Sequence, residues 1–382
     1  MAGLLHDRDT AVYVHFPWCA KKCPYCDFAT RAVEPASIDH EGYADAIARD
    51  LEARQPQLDG RRLVSVFFGG GTPSLWSADA LGRTLERIRG AFDSEVPDLE
   101  ITAECNPSSL SAEQAQGFAD AGINRTSIGV QSLQQRHLQF LGRLHDGPGA
   151  LRALRDAKAT GVRVSADLMF GMRDQRDVLA DVDVLIAEGL DHVSAYALTI
   201  EAGTQFGTLQ RLGKLETADE DDYARMFLET EARFAAAGLD HYEVSNYARP
   251  GQEARHNQHY WRGGDYLALG AAAVGCLSDS GVARRWRNQS DPQRYLAEPV
   301  EEWSEQLESE ERIQEALMLG LRTTEGVELD GLAERVGIDP RVGRERALDR
   351  ALERGDLSLD EAVLTIPRQR WLRLDGIVAS LF

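Results

Sequence analysis

The chain has 382 residues and a formal net charge of −20, with 43% hydrophobic and 27% charged residues. That length accommodates one large domain and a smaller one, in proportions ordinary for a globular protein. The acidic balance argues against a nucleic-acid surface, which needs clustered Lys and Arg, and against anionic lipid headgroups. Residues 1–11 carry His6, Asp7, Arg8 and Asp9 in place of an apolar run, so no secretory leader is expected. The longest apolar stretch, Leu267 to Leu277, is too short and too rich in Gly and Ala to span a bilayer, so a cytoplasmic protein without a membrane span is expected.

Strand-like and helix-like segments alternate from residue 11 to about residue 240. Ala11–Pro17 reads as a strand and Ser37–Arg54 as a helix, with Ser37 as its N-cap and Ile38, Ala44, Ile47 and Leu51 at helical spacing. The same alternation pairs Leu63–Phe68 with Ser77–Phe92, Leu99–Glu104 with Ser111–Ala121, and Thr126–Gln131 with a helix near 148–160. Val162–Met169 precedes a helix at about 175–189, and His192–Thr199 precedes the acidic helix 218–237. Repeated β-then-α units predict parallel strands joined by right-handed crossovers. Six units are too few for a closed eight-fold barrel. Chemistry on such sheets gathers at the carboxyl ends of the strands. The polar residues cluster there: the loop after strand one, Gly69-Gly70-Gly71-Thr72-Pro73, Glu104-Cys-Asn106-Pro107, Gln131-Ser132, Asp167, and Tyr196-Ala197.

Past residue 240, His241–Tyr247 reads as a further strand, and the glycine-rich segment 263–275 is expected to pack back on the barrel mouth. From about residue 304 the chain is charged and helical: Glu311–Leu321, Leu329–Val336 and Arg341–Arg354, with a small hairpin from Asp356–Leu357 and Val363–Ile366. This predicts a compact winged-helix-like unit. Its acidity argues against DNA binding and for a lid or docking surface.

The loop after the first strand places Cys19, Cys23 and Cys26 at spacings of four and three. Thiolates suit zinc, copper(I) or iron–sulfur clusters. Structural zinc wants four ligands in two separated pairs, and no second Cys-x2-Cys pair exists. Five cysteines in all, an odd and sparse number, do not suggest a disulfide framework. Cys105 and Cys276 stand alone in apolar contexts and read as packed small hydrophobes. A [4Fe–4S] cube normally takes four cysteines, so three on one loop would leave one iron open.

Cys-x3-Cys-x2-Cys, with Tyr25 before the third cysteine, resembles the motif of the radical S-adenosylmethionine (SAM) superfamily. The resemblance implies an α/β fold, an open three-quarter (βα)6 barrel over residues 1–240. A connecting region over 241–303 and a smaller C-terminal helical, winged-helix-like domain over 304–382 follow. It also implies that Cys19, Cys23 and Cys26 hold a [4Fe–4S] cluster with SAM on the open iron. Gly70, Gly71 and Thr72 would hold the SAM amino group. Glu104, Gln131, Arg143 and Asp167 would contact its amino-acid and ribose parts, and Tyr13, Tyr25 and Ala197 complete the cofactor set. By itself Arg143 also reads as a solvated helix-cap residue.

Further segments resemble the oxygen-independent coproporphyrinogen III oxidase-like branch, which comprises coproporphyrinogen dehydrogenases (HemN) and heme chaperones (HemW). They are Tyr13-Val-His-Phe-Pro, Phe68-Gly-Gly-Gly-Thr-Pro-Ser, Arg125-Thr-Ser-Ile-Gly-Val-Gln-Ser, Asp167-Leu-Met-Phe-Gly-Met, Ala197-Leu-Thr-Ile-Glu and His241-Tyr-Glu-Val-Ser-Asn-Tyr-Ala. The dehydrogenases carry a further cysteine where this chain has Phe28, and a long N-terminal extension where 18 residues precede Cys19. His256-Asn257-x-x-Tyr260-Trp261 matches the HNxxYW motif associated with heme in the chaperones. An imidazole is a normal axial ligand of heme iron, and Tyr and Trp offer flat apolar surface. Without the resemblance, the same residues read equally as an anchor for the loop after the barrel. The resemblance implies heme as ligand and haemoproteins of the respiratory chain as acceptors. Radical decarboxylation of coproporphyrinogen III, or another radical SAM reaction, is the alternative.

Overall fold

A strand buried on both faces reads as a near-continuous apolar run, and the stretch from Ala11 to Phe16 comes close to one. In the computed structural model, which describes residues 8–279 and 281–382, it forms β1 (Asp9–Phe16), with Val12, Val14 and Phe16 fully buried. Five parallel strands follow in order: β2 (Arg62–Gly70), β3 (Ser94–Cys105), β4 (Arg125–Gln131), β5 (Arg163–Phe170) and β6 (His192–Ala197). Crossover helices α1 (His40–Arg54), α2 (Ala78–Gly90), α3 (Ala112–Asp120), α4 (Gly147–Ala159) and α5 (Val178–Ala187) separate them, and α6 (Glu220–Ala236) follows β6.

Side-chain caps fix where most of these helices start. Ser77, Ser111, Asp146 and Asp219 each accept a backbone N–H of the first turn. Helix α1 starts later than the sequence suggests. Asp39, not Ser37, accepts the Gly42 N–H at 2.9 Å, because Pro35 to Ser37 are taken up by a short 3-10 turn. The acidic triplet Glu220-Asp221-Asp222 lies on the first turn of α6, where the helix dipole favours negative charge.

The sheet continues at both edges. The predicted strand over His241–Tyr247 is a pair, β7 (Asp240–Glu243) and β8 (Asn246–Ala248), with β8 antiparallel to β6 and β7 antiparallel to β8. Segment 263–275 does not simply pack on the barrel mouth. Its apolar run Tyr-Leu-Ala-Leu forms β9 (Asp265–Leu269), a seventh parallel strand on the free edge of β1. An antiparallel meander extends it: β10 (Val274–Asp279), β11 (Val282–Asn288) and β12 (Glu301–Leu307). The order is β12-β11-β10-β9-β1-β2-β3-β4-β5-β6-β8-β7, so β12 and β7 are the unjoined ends of a barrel that does not close.

Beyond it, α7 (Arg255–Trp261) belongs to the connecting stretch, and α8 (Ser309–Gly320) begins with a reciprocal capping box between Glu308 and Glu311. Helices α9 (Leu329–Val336), α10 (Glu345–Glu353) and α11 (Leu374–Ala379) accompany a three-stranded sheet of β13 (Val327–Glu328), β14 (Ser358–Asp360) and β15 (Val363–Thr365), ordered β13-β15-β14. The predicted hairpin is therefore shifted by two residues on its first strand and joined by a third strand. Among the described residues no helix is long and apolar enough to cross a membrane.

Candidate functional site

The cysteine loop is pinned on several sides. Gly71 N–H donates to Phe16 O at 2.7 Å and Thr72 N–H to Trp18 O at 2.8 Å, tying the glycine turn to the start of the loop. Arg31 N–H donates to Pro17 O, Val33 N–H to Cys19 O, and Lys22 Nζ reaches Phe28 O at 2.8 Å. His15 Nε2 donates to Ala29 O at 3.1 Å, which leaves Nδ1 to accept from Tyr13 at 2.9 Å. Gly70 lies at φ +104, and a Cβ there would stand 2.5 Å from the His15 ring, so the turn needs glycine for both reasons.

Thus held, Cys19, Cys23 and Cys26 are half-buried and unbridged, and all three line one cleft of about 370 Å³. Burial raises the Cys19 and Cys26 thiols above their ordinary value, so a soft metal would have to draw out the thiolates. Among the described residues no three His, Cys, Asp or Glu side chains close on a single point as ligands of one ion. Three thiols lining one cleft suit a cube, where each binds a different iron.

The opposite walls are polar and come from five strand ends. Gly70, Gly71 and Thr72 line the cleft beside Tyr25, Gln131, Arg143 and Ala197. Glu104 is half-buried, accepts Gly70 N–H at 3.0 Å, and is pushed up to about 8 by desolvation and by the neighbouring Asp167. Asp167 accepts Ser127 Oγ at 2.9 Å and is itself raised by burial. Two half-buried carboxyls facing one cleft favour a cationic ligand. Gln131 takes φ 64 at the end of β4, a left-handed conformation uncommon for a residue with a side chain. Arg143 is no solvated cap. It stands 3.6 Å from Cys23 Sγ, donates to Gly129 O at 2.8 Å, and leaves its buried Nε without a partner. Donor set and charge both fit a cluster with a zwitterionic sulfonium beside it.

Tyr13 lies behind this wall. Its ring stacks on Phe67 at 6.2 Å and would stand 3.0 Å from a Cβ on Gly69. The structure does not bring His256 to the cleft. Its Nδ1 shares a hydrogen bond of 2.9 Å with Ser65 Oγ, its N–H donates to Glu100 Oε1 at 3.0 Å, and its ring stacks on Phe67 at 4.9 Å. Ser65 and Glu100 precede Gly70 and Cys105 on their strands, so α7 anchors below the cleft, toward the amino-terminal end of the sheet. Burial drives the His256 imidazole down to about 3, so it is neutral. Asn257 and Trp261 are half-buried, whereas Tyr260 is exposed and lines a separate groove of about 260 Å³ with Tyr266, Cys276 and Met318. Cys105 is buried at the back of the cleft, while Cys276 is half-buried in that groove and not part of the core.

Sequence reasoning missed Ser127, Thr199 and Glu201 on the cleft wall, and an adjoining cavity of about 790 Å³. The two spaces share Tyr196, Ala197 and Thr199 as a common border.

The radical SAM superfamily model matches residues 13–213 and the HemN C-terminal domain model residues 307–372. The chain is similar to the heme chaperone HemW of Haemophilus influenzae, 38% identical over 294 residues and 75% of each chain. It is 37% identical to the HemW of Mycobacterium tuberculosis over 336 residues and 85% of each chain. The solved structure of coproporphyrinogen III oxidase (HemN) from Escherichia coli, a radical SAM enzyme, shares the fold at TM-score 0.81 and 19% identity, over 98% of this chain and 90% of that one. The chain belongs to the radical SAM superfamily, in the coproporphyrinogen oxidase-like branch of the HemW proteins.

Proposed function

We propose that the chain is a heme chaperone of the HemW type. It holds a [4Fe–4S] cluster on Cys19, Cys23 and Cys26, binds SAM beside it, and passes heme to acceptor haemoproteins of the respiratory chain. The observation that carries the cofactor part is the meeting of three half-buried thiols and two raised carboxyls in one cleft. A bound and reduced cluster supplies an electron that can break the SAM sulfonium bond. The protein's own share is to bind, orient and exclude water. Gly70, Gly71 and Thr72 present backbone and hydroxyl groups, and Glu104 and Asp167 face the cationic parts. Arg143 takes the carboxylate with Gln131 beside it, and Tyr25 and Ala197 close the sides. Heme binding is supported by the likeness to named heme chaperones over most of the chain and by Phe28, which stands where the dehydrogenases carry a further cysteine. Titration with hemin tests it: a stable, shifted Soret band at one hemin per chain is expected, and its absence overturns the heme reading. Anaerobic formation of protoporphyrinogen by the reconstituted protein would instead establish the decarboxylating activity.

A further inference from the structure

At its carboxyl end β1 outruns one of its two neighbours. β9 accompanies it only as far as Leu269 opposite Val14, while β2 pairs with it up to Gly70 opposite Phe16. Successive carbonyls of a strand point to opposite sides. Phe16 O faces β2, where it accepts Gly71 N–H, so His15 O faces the side from which β9 has turned away. There the hydroxyl of Tyr43, a fully buried residue of α1, takes the place of a strand. It donates to His15 O at 2.5 Å and accepts Ala271 N–H at 3.0 Å. Gly270, at φ +97, lets the chain turn here, since a Cβ on it would stand 2.3 Å from His15 O and 2.8 Å from the Tyr43 hydroxyl. A second hydroxyl backs the first. Tyr295 accepts Gly270 N–H at 2.9 Å and donates to Asp50 at 2.8 Å, and Asp50 also accepts Asn288 Nδ2 and Arg54 Nε, each at 2.8 Å. All these side chains are buried, and a satisfied buried network rigidifies what it holds.

We propose that Tyr43 is a positioning residue for the cofactor cleft: its hydroxyl fixes the His15 main chain and its ring fixes Trp18, which keeps Cys19 and the glycine turn in fixed relation. The proposal rests on the cluster reading above. Tyr43 does not itself line the cleft, so its contribution passes through these two neighbours. The links are short. The Tyr43 ring lies edge-on to Trp18 at 4.7 Å, and Trp18 directly precedes Cys19. Trp18 O in turn accepts Thr72 N–H of the glycine turn. His15, held at its carbonyl by Tyr43, carries the ring that donates to Ala29 O, three residues past Cys26, and on which Gly70 closes without room for a Cβ. The same network ties the connecting region, through Asn288 and Tyr295, to the loop that carries the thiols.

The test is Tyr43→Phe, which keeps the ring and removes only the hydroxyl, in the full-length chain reconstituted anaerobically. Iron and sulfide content should stay at the wild-type level. SAM should bind about three- to tenfold more weakly, the scale of one lost hydrogen bond, and the EPR change it produces in the reduced protein should differ from wild type. Asn124→Ala controls for stability alone. It removes side-chain hydrogen bonds to Ile101 and Leu99 just before β4, at the end of the sheet away from the cleft. It should lower the melting temperature and leave SAM affinity and the EPR signal unchanged. A folded Tyr43→Phe protein with wild-type SAM affinity and spectrum, or an Asn124→Ala protein that shifts both as much, would overturn the positioning role. Should Tyr43→Phe fail to fold, Tyr295→Phe, which leaves Gly270 N–H unpaired behind the same turn, is read by the same two measurements. A wild-type chain that takes up no cluster would overturn the cluster reading, and this role with it.

Discussion

Glu104 is the residue on which the cofactor cleft turns. Burial and Asp167 hold its carboxyl at about 8, so near pH 7 it is mostly protonated. A cation placed against it lowers that value. SAM binding at pH 7 should therefore release up to about one proton per chain, falling away above pH 9, where the carboxyl is already ionised. Calorimetry in two buffers of different ionisation enthalpy reads this directly. Glu104→Gln should abolish the proton release and weaken SAM at least about tenfold, and an unchanged proton count in that variant would contradict the role. The carboxyl-end residues were legible because Gly70, Glu104, Gln131 and Asp167 are out of place in or after apolar strands. Ser127 was not, since a small hydroxyl in a strand looks the same whether it meets a ligand or a neighbouring carboxylate such as Asp167. For Arg143, the sequence alone reads equally as a solvated helix cap, and only the fold brings it to Cys23.

Among the elements, α7 shows how the residues of one motif can part company in space. His256, Asn257, Tyr260 and Trp261 lie on one short helix, yet His256 points into the sheet against Ser65 and Tyr260 outward. His256→Ala should cost about 1–3 kcal/mol by stranding the Ser65 hydroxyl, besides the lost stacking on Phe67. Urea denaturation checks this, and an unchanged midpoint would mean the helix is not an anchor. His256 shares its neutral, buried state with His15 and His145, both driven down to about 4 by burial. Their folded values lie below the unfolded one, so what they contribute is present above about pH 6.5 and is lost as pH falls towards 4, at about 1.4 kcal/mol per pH unit for each. Buried Glu243, pushed up to about 8, acts oppositely, losing its contribution as pH rises from the ordinary carboxyl range towards 8. Thermal melts from pH 4.5 to 9 should show a maximum between those limits. A melting temperature that keeps rising to pH 9 would contradict these buried states.

For the whole molecule, the alternation of strands and helices up to residue 240 specified the parallel part of the sheet because each crossover unit is local in sequence. The edges were harder. β9 pairs with β1 across some 250 residues, Ala11 against Tyr266 and Val14 against Leu269, and no local pattern announces such a partner. The 790 Å³ cavity was invisible for the same reason, since its walls come from residues 170 to 245 and 354 to 380. What unites the molecule is that the thiol loop, the carboxyl wall and this cavity lie together at the carboxyl ends of one open sheet. The most direct measurement is anaerobic reconstitution with iron and sulfide counting, followed by EPR of the reduced protein with and without SAM. The expected result is about four irons and four sulfides per chain, abolished by Cys23→Ser, and a signal that changes when SAM is added. A chain that takes up no cluster, or a cluster whose signal is indifferent to SAM, would contradict an open iron at this cleft.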